Sequence, residues 1–360
     1  MRRTWFLILL AFVLFLTQCK TIDELQREDV LEYEQISKNT IPVVINHQVE
    51  KFITFFQTRH RKYMQLWLER SHQYLPMMVK VFEENHLPTD LAYLALIESG
   101  YNPHAYSRAK AVGIWQFMQA TGRRYGLKSN WWIDERRDPV KSTKAAANYL
   151  KDLYQIFGSW YLAVAAYNAG EGKILRSVKK HKTDNFWEMA KYRHLKRETK
   201  DYIPKFIAAM LIAKDPEKYG FTNLKYQEPI SYEEVALTKP VDLHEVAKSI
   251  EISYEELKKL NPELKGFSTP LDLDHYTLKV PENKKEIFLV ELESIPALKK
   301  TDLHQHQVSY GDTLWALSRT YGTSIPQIKK MNNLTSNVLR IGQRLVIPIK
   351  PGTQYKAPEA

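Results

Sequence analysis

Two stretches of the chain align without a gap over 19 residues: Leu243–Asn261 (LHEVAKSIEISYEELKKLN) and Leu314–Asn332 (LWALSRTYGTSIPQIKKMN). Each is later followed by a short extended run ending in proline, LKVP at Leu278–Pro281 and LVIP at Leu345–Pro348. Self-similarity over this length marks duplicated small modules. Apolar residues spaced about four apart lie between two β-type runs, so each copy is expected to be strand, helix, helix, strand. Lys299–Gln307 is polar and separates the copies. The expected boundaries are 230–282 and 307–349 for the modules, 283–306 for a linker and 350–360 for a tail.

Ahead of the modules the pattern changes. From 47 to 220 apolar residues recur three and four apart, as at Phe52, Phe55 and Phe56, then Tyr63, Leu66 and Trp67. Asp138-Pro139 reads as an N-cap followed by proline at the first helical position. That helix is expected to run through Leu150 and Leu153 and to stop at Gly158. A second helix, Trp160–Tyr167, is expected to end at Asn168-Ala169-Gly170. Nothing in this stretch alternates like a strand, so it is expected to be all-α. At 360 residues the chain exceeds one compact core, which agrees with several domains.

The formal charge of +11 favours an anionic partner, but Lys and Arg are spread throughout and no nucleic-acid module stands out. Nucleic acid is therefore not expected as a partner. Cys19 is the one cysteine, so an internal disulfide is impossible and no metal-ligand set forms around it. Arg2 and Arg3 precede the apolar run Trp5–Leu16, and Thr17-Gln18-Cys19 follow. A basic start, a short apolar stretch and a processing point describe an export signal, because a spanning helix needs roughly 20 apolar residues. The alternative is an uncleaved N-terminal anchor. Residues 20–46 are polar and read as a tether.

The chemistry centres on Glu98. In the expected helix Thr89–Ser99, Leu91, Leu94 and Ala95 share a stripe, and Glu98 is its i+7 member. A carboxylate on a buried face is kept protonated more easily, which suits a general acid. A structural partner, such as a buried arginine, is the competing explanation. Ser99-Gly100-Tyr101-Asn102-Pro103 then breaks the helix, leaving Glu98 where a helix end meets a loop. Three further clusters follow: Gly113-Ile114-Trp115-Gln116-Phe117, Ala166-Tyr167-Asn168-Ala169-Gly170 and Glu198-Thr199-Lys200-Asp201-Tyr202. Trp115 and Gln116 read as an apolar plate and an amide for a sugar, and Phe117 as core. Asp134, Glu135 and Asp138 read as a salt-bridged turn with Asp138 as helix cap, and Glu171 as a solvated residue at the next helix start.

These four ordered motifs resemble the lysozyme-like domain of family 1 lytic transglycosylases, over roughly Leu87–Pro204. Gln119 stands where that family carries proline. Val308–Pro348 resembles a LysM domain, a βααβ module that binds N-acetylglucosamine-containing glycans, through Val308-Ser309-Tyr310-Gly311-Asp312-Thr313-Leu314-Trp315, Asn332-Asn333 and Ile341-Gly342-Gln343. The earlier copy, with Lys239-Pro240-Val241-Asp242 in place of Gly-Asp-Thr, reads as a degenerate relative. The first 19 residues resemble a bacterial lipoprotein signal with Cys19 as the lipidated residue, although Gln18 replaces the usual small residue. Lys20 after it points to the outer membrane.

The resemblance implies a multi-domain protein: an all-α lysozyme-like (goose-type) catalytic domain followed by small α+β LysM modules. It implies an exported enzyme, held at the periplasmic side of the outer membrane by its lipid anchor, acting on peptidoglycan glycan strands without a cofactor. Glu98 would be the single acid/base. Ser99 and Gln116 would contact the substrate, Tyr167 and Asn168 would shape the site, and Tyr202 would hydrogen-bond near Glu98. A hydrolytic goose-type muramidase and a non-catalytic wall-binding lipoprotein are the alternatives.

Overall fold

The computed structural model describes residues 40–193, 195–273, 275–299 and 303–349. The export signal, Cys19, most of the tether and the tail lie outside the described residues. Among those described, no helix is long and apolar enough to cross a membrane. They fall into two compact units. One holds the residues up to 64 with 77–97 and 147–223; the other holds 65–76, 98–146 and everything from 224 onward.

Helices dominate 47–221: α1 (His47–Gln57), α2 (Arg61–Glu84), α3 (Leu94–Ser99), α4 (Gln119–Arg124), α5 (Pro139–Phe157), α6 (Trp160–Ala169), α7 (Glu171–His181), α8 (Phe186–Met189) and α9 (Arg197–Lys214). The expected all-α character holds, since the only β pairing among these described residues is isolated bridges. Asp138 caps α5, with its Oδ1 accepting from the N–H of Val140 and Lys141, both at 2.9 Å. Gly158 at φ +62° follows its last residue, and Gly170 at φ +88° ends α6. Gln119 opens α4, a position where proline is equally at home, so its substitution leaves the helix start intact.

In the first unit α9 is the central helix. Tyr202, Ile203, Phe206, Ile207, Met210 and Ile212 are buried, and it packs on α1 and α6. Lys214 at its end pairs with Asp90. The last tether residues are docked rather than free: Ile41 is buried, and the Tyr161 hydroxyl donates to the Pro42 carbonyl. An isoleucine gains more from burial than a polar residue would, so this end of the expected tether docks. In the first turns of α2 Met64 and Leu68 are buried, whereas Tyr63 and Leu66 are exposed. Pro76 inside α2 is exposed, so the helix loses its hydrogen bond on the solvent side.

The second unit contains both modules. The first is β1 (Glu233–Leu237), α10 (Leu243–Ser249), α11 (Tyr254–Leu260) and β2 (Tyr276–Val280), followed by α12 (Lys285–Glu291). The other is β3 (Leu303–Gln307), α13 (Leu314–Thr320), α14 (Ile325–Met331) and β4 (Arg344–Pro348). Each has one antiparallel strand pair, with Val235 opposite Leu278 and Gln305 opposite Val346. The asparagine that ends each aligned stretch does the same work twice. Asn261 donates to Leu257 O and Lys279 O and accepts from Lys279 N. Asn332 donates to Ile328 O and Val346 O and accepts from Val346 N. One side chain thus caps the second helix and ties it to the last strand.

Two expectations are corrected. The stretch 283–306 is not a bare linker: α12 inserts Phe288 into the first module's core, and β3 begins at Leu303. The apolar run Ile287-Phe288-Leu289-Val290 lies inside it, and Phe288 is the member that the core takes up. The helical stretch 47–220 is also not a single unit, because Trp132 and Ile133 lie in the core built by Val235, Leu243, Val246, Leu257 and Phe267 of the first module.

Candidate active site

The site is built from the residues around Glu98 within the second unit. The expected long helix is a 3₁₀ turn, Thr89–Tyr93, leading into the short α3. Leu94, Ala95, Leu96 and Ile97 are all buried, so this segment is apolar all round rather than striped. Glu98 is half-buried near its end. Gly100 at φ +60° and Tyr101 at φ +57° then turn the chain. Two side chains of α2 clamp that turn. Arg70 Nη1 donates to Gly100 O at 2.8 Å, and a Cβ on Gly100 would sit 2.0 Å from Trp67 Cδ1.

Ser99 joins this turn to the next motif. Its hydroxyl donates to Ile114 O at 2.8 Å and accepts from Asn102 N at 3.1 Å. In the loop 113–117, Val112 and Phe117 exchange both backbone bonds, and Gln116 adopts φ +50°. The Gln116 amide nitrogen donates to Gly113 O at 2.8 Å. A non-glycine residue held in this region is a strained arrangement of the kind found at functional sites. Trp115, expected as a sugar plate, is instead fully buried, with Nε1 donating to Thr143 Oγ1 at 2.9 Å. An indole whose N–H finds a partner inside the protein satisfies the core completely. Phe117 is buried, as expected.

The charged turn Asp134–Asp138 supports that loop from behind. Arg136 is buried and makes two bonds to Asp134, Nε to Oδ1 at 2.8 Å and Nη2 to Oδ2 at 2.7 Å. Its Nη1 donates to Phe117 O at 3.1 Å and Lys110 O at 3.3 Å. Gly113 packs so closely on Arg136 that a Cβ there would lie 1.8 Å from Arg136 O. Glu135 accepts from Lys141 Nζ and Lys128 N, both at 2.7 Å. The expected salt-bridged turn is present, and buried. Sequence reasoning did not anticipate that it would carry the Gly113–Phe117 loop, nor the Trp67 and Arg70 clamp. The one available signal was Trp131-Trp132-Ile133, an apolar run beside charges.

Glu98 and Ser99 end α3, and Ser99 ties that helix end to the loop carrying Gln116 through Ile114 O, all within one unit. Tyr167, Asn168 and Tyr202 belong to the other unit. There Tyr167 and Asn168 are half-buried at the end of α6, with the Tyr167 ring against Tyr149 at 5.3 Å between centroids. Tyr202 is buried in α9. Glu171 accepts from the Tyr149 hydroxyl at 3.2 Å.

Three family models agree with this architecture. The Transglycosylase SLT domain family matches residues 80–190, the LysM domain family residues 306–348, and the family described as lytic transglycosylase MltD, LysM-like domain, residues 231–297. An SLT domain followed by these modules defines a peptidoglycan lytic transglycosylase. Membrane-bound lytic murein transglycosylase D of Escherichia coli is 33% identical over 318 residues, covering 84% of this chain and 68% of that protein. The chain belongs to that transglycosylase D family. Membrane-bound lytic murein transglycosylase C of Pectobacterium atrosepticum is 32% identical over 123 residues, 30% of this chain and 34% of that protein. The 70 kDa soluble lytic transglycosylase of Escherichia coli aligns at TM-score 0.35 and 20% identity, covering 44% of this chain and 27% of that one.

Proposed function

We propose that the protein cleaves the β-1,4 bond between N-acetylmuramic acid and N-acetylglucosamine without water, with Glu98 as the single acid/base. The observation that carries this reading is the commitment of the carboxylates in the turn that supports the Gly113–Phe117 loop. Asp134 is held by Arg136, Glu135 by Lys141, and Asp138 by its helix cap and by Lys279 Nζ at 2.6 Å. A two-carboxylate hydrolase needs a second acid facing the scissile bond. Within this unit those three acids are occupied, which supports one glutamate doing both jobs.

In the proposed reaction Glu98 donates its proton to the glycosidic oxygen as the bond to the muramic acid C1 breaks. The substrate's acetamido group steadies the oxocarbenium-like centre. Glu98, now a carboxylate, accepts the proton of the muramic acid C6 hydroxyl, whose oxygen bonds to C1 and closes a 1,6-anhydro ring. The first proton leaves on the N-acetylglucosamine O4 hydroxyl, the C6 proton restores Glu98, and no water is consumed. Alternating roles suit a half-buried carboxylate. Ser99 and Gln116, in the same unit as Glu98, contact the sugar or acetamido groups. Mass spectrometry of muropeptides released from purified sacculi tests this: 1,6-anhydro ends are expected, and reducing ends would instead identify a hydrolase.

The protein works in the cell envelope on glycan strands, gripped by the module at 307–349, and a lipid on Cys19 anchors it to the outer membrane. The first 19 residues and the membrane-bound relatives support this reading. Cys19→Ala is expected to move the protein from the membrane to the soluble fraction of the envelope. Retention of that variant with the membranes would refute lipid anchoring.

A further inference from the structure

The first module departs from the second at the segment where a LysM domain carries Gly-Asp-Thr, and its core is not its own. Trp132 and Ile133 complete it, Lys265 N donates to Trp132 O at 2.8 Å, and Ile133 pairs with Leu264. Beyond this packing, the module grips both ends of the Asp134–Asp138 turn. At one end Asp134 N donates to Glu263 O at 2.8 Å. At the other, Lys279 Nζ donates to Asp138 Oδ2 at 2.6 Å, and both side chains are buried. Tyr276 donates to Glu263 Oε1 at 2.9 Å and so fixes the residue that holds Asp134.

The middle of the same turn carries the active-site loop. Arg136 bonds Phe117 O and Lys110 O, and its carbonyl lies against Gly113. The loop in turn accepts the Ser99 hydroxyl at Ile114 O, one residue from Glu98. Module, turn, loop and catalytic helix end form an unbroken series of hydrogen bonds and close packing. Small displacements of a reacting group cost rate steeply, so a support at this depth matters for turnover.

We propose that the module at 231–297 is a brace for the catalytic loop, with Lys279 as a positioning residue for Glu98. Its function is thus mechanical support of the site rather than a second grip on glycan. The inference rests on the reading of Glu98 as the acid/base.

The full chain carrying Lys279→Met is compared with Lys279→Arg and the parent on purified sacculi, each assayed below its own unfolding midpoint. For Lys279→Met, kcat is expected to fall about tenfold at unchanged KM. Lys279→Arg, which keeps a cation beside Asp138, is expected to restore most of the rate. A Lys279→Met protein with a lower unfolding midpoint but the parent kcat would show that Lys279 only stabilises, overturning the inference. A raised KM at unchanged kcat would show a glycan-binding module and overturn it equally. Should Lys279→Met fail to fold, Tyr276→Phe removes only the bond to Glu263: a lowered kcat supports the brace, and an unchanged kcat overturns it. Glu98→Gln run in parallel separates the two readings. If that variant turns over normally, the assignment of Glu98 has failed; if it is inactive while Lys279→Met is not, only the brace has failed.

Discussion

Glu98→Gln is expected to lower turnover on sacculi about a thousandfold while leaving sacculus binding unchanged. A positioned acid or base contributes roughly 10²–10⁴-fold, and here one group serves in both halves of the reaction. A thousandfold corresponds to about 4 kcal/mol in the barrier. Glutamine keeps the shape of the side chain and its capacity for hydrogen bonding, but it can neither donate the proton to the leaving oxygen nor take the C6 proton. The half-buried position near the end of α3 makes the exchange mild for the fold, roughly within 1 kcal/mol. Rescue by a neighbour is not expected, because Asp134, Glu135 and Asp138 are tied to Arg136, Lys141 and Lys279. Turnover within tenfold of the parent would remove Glu98 from the mechanism. Loss of binding together with turnover would instead indicate that Glu98 grips the substrate rather than reacting with it.

Much of this was legible in the sequence where local chemistry decides the outcome. Asp138-Pro139, Gly158 and Gly170 set helix limits through capping and positive φ, which depend on a few adjacent residues. The aligned stretches announced two βααβ modules, because the same apolar spacing must fill the same small core. Long-range partnership was not legible. Trp115 looked available for a sugar, but its surroundings, including Thr143 on α5, enclose it. Phe288 belongs to the short apolar run Ile287–Val290, whose other three members stay exposed, so nothing local says that this one residue enters a core. The charged turn 134–138 was recognised as paired, yet nothing local reveals that Lys279, far along the chain, supplies one of its cations. Burial of that cluster also changes its chemistry. Desolvation pushes the Glu263 carboxyl above the usual range even with Lys279 Nζ at 3.8 Å. For Lys279, burial alone would depress the ammonium, but Glu263 and Asp138 outweigh it and hold it above its ordinary value. Asp138, at 2.6 Å, is the ionic partner that matters.

Gly113→Ala is expected to be the most damaging single-methyl change near the site, and comparison with Gly100→Ala shows why. Both glycines have positive φ, +83° and +60°, where an L side chain costs roughly 1–2 kcal/mol. They differ in what the new methyl meets. At Gly100 it meets the Trp67 indole, a side chain, with the nearest atom 2.0 Å away. At Gly113 it meets the backbone carbonyl of Arg136 at 1.8 Å, in a turn fastened through Asp134, Phe117 and Lys110. The indole can be deleted and the carbonyl cannot. Gly113→Ala is therefore expected to destabilise by about 3 kcal/mol or more and to lower kcat as well, since relief requires the loop or the turn to move. Gly100→Ala is expected to be partly relieved by Trp67→Ala, giving a favourable coupling in a double-mutant cycle. Denaturant midpoints for the four proteins of that cycle and for Gly113→Ala, with turnover on sacculi beside them, measure both effects. A Gly113→Ala protein as stable and active as the parent would mean that the loop does not press on Arg136. Strict additivity of the Gly100 and Trp67 changes would mean that the clamp on the turn after Glu98 is looser than the close packing implies. Either result would also weaken the case that Glu98 is held by a rigid support rather than by the substrate itself.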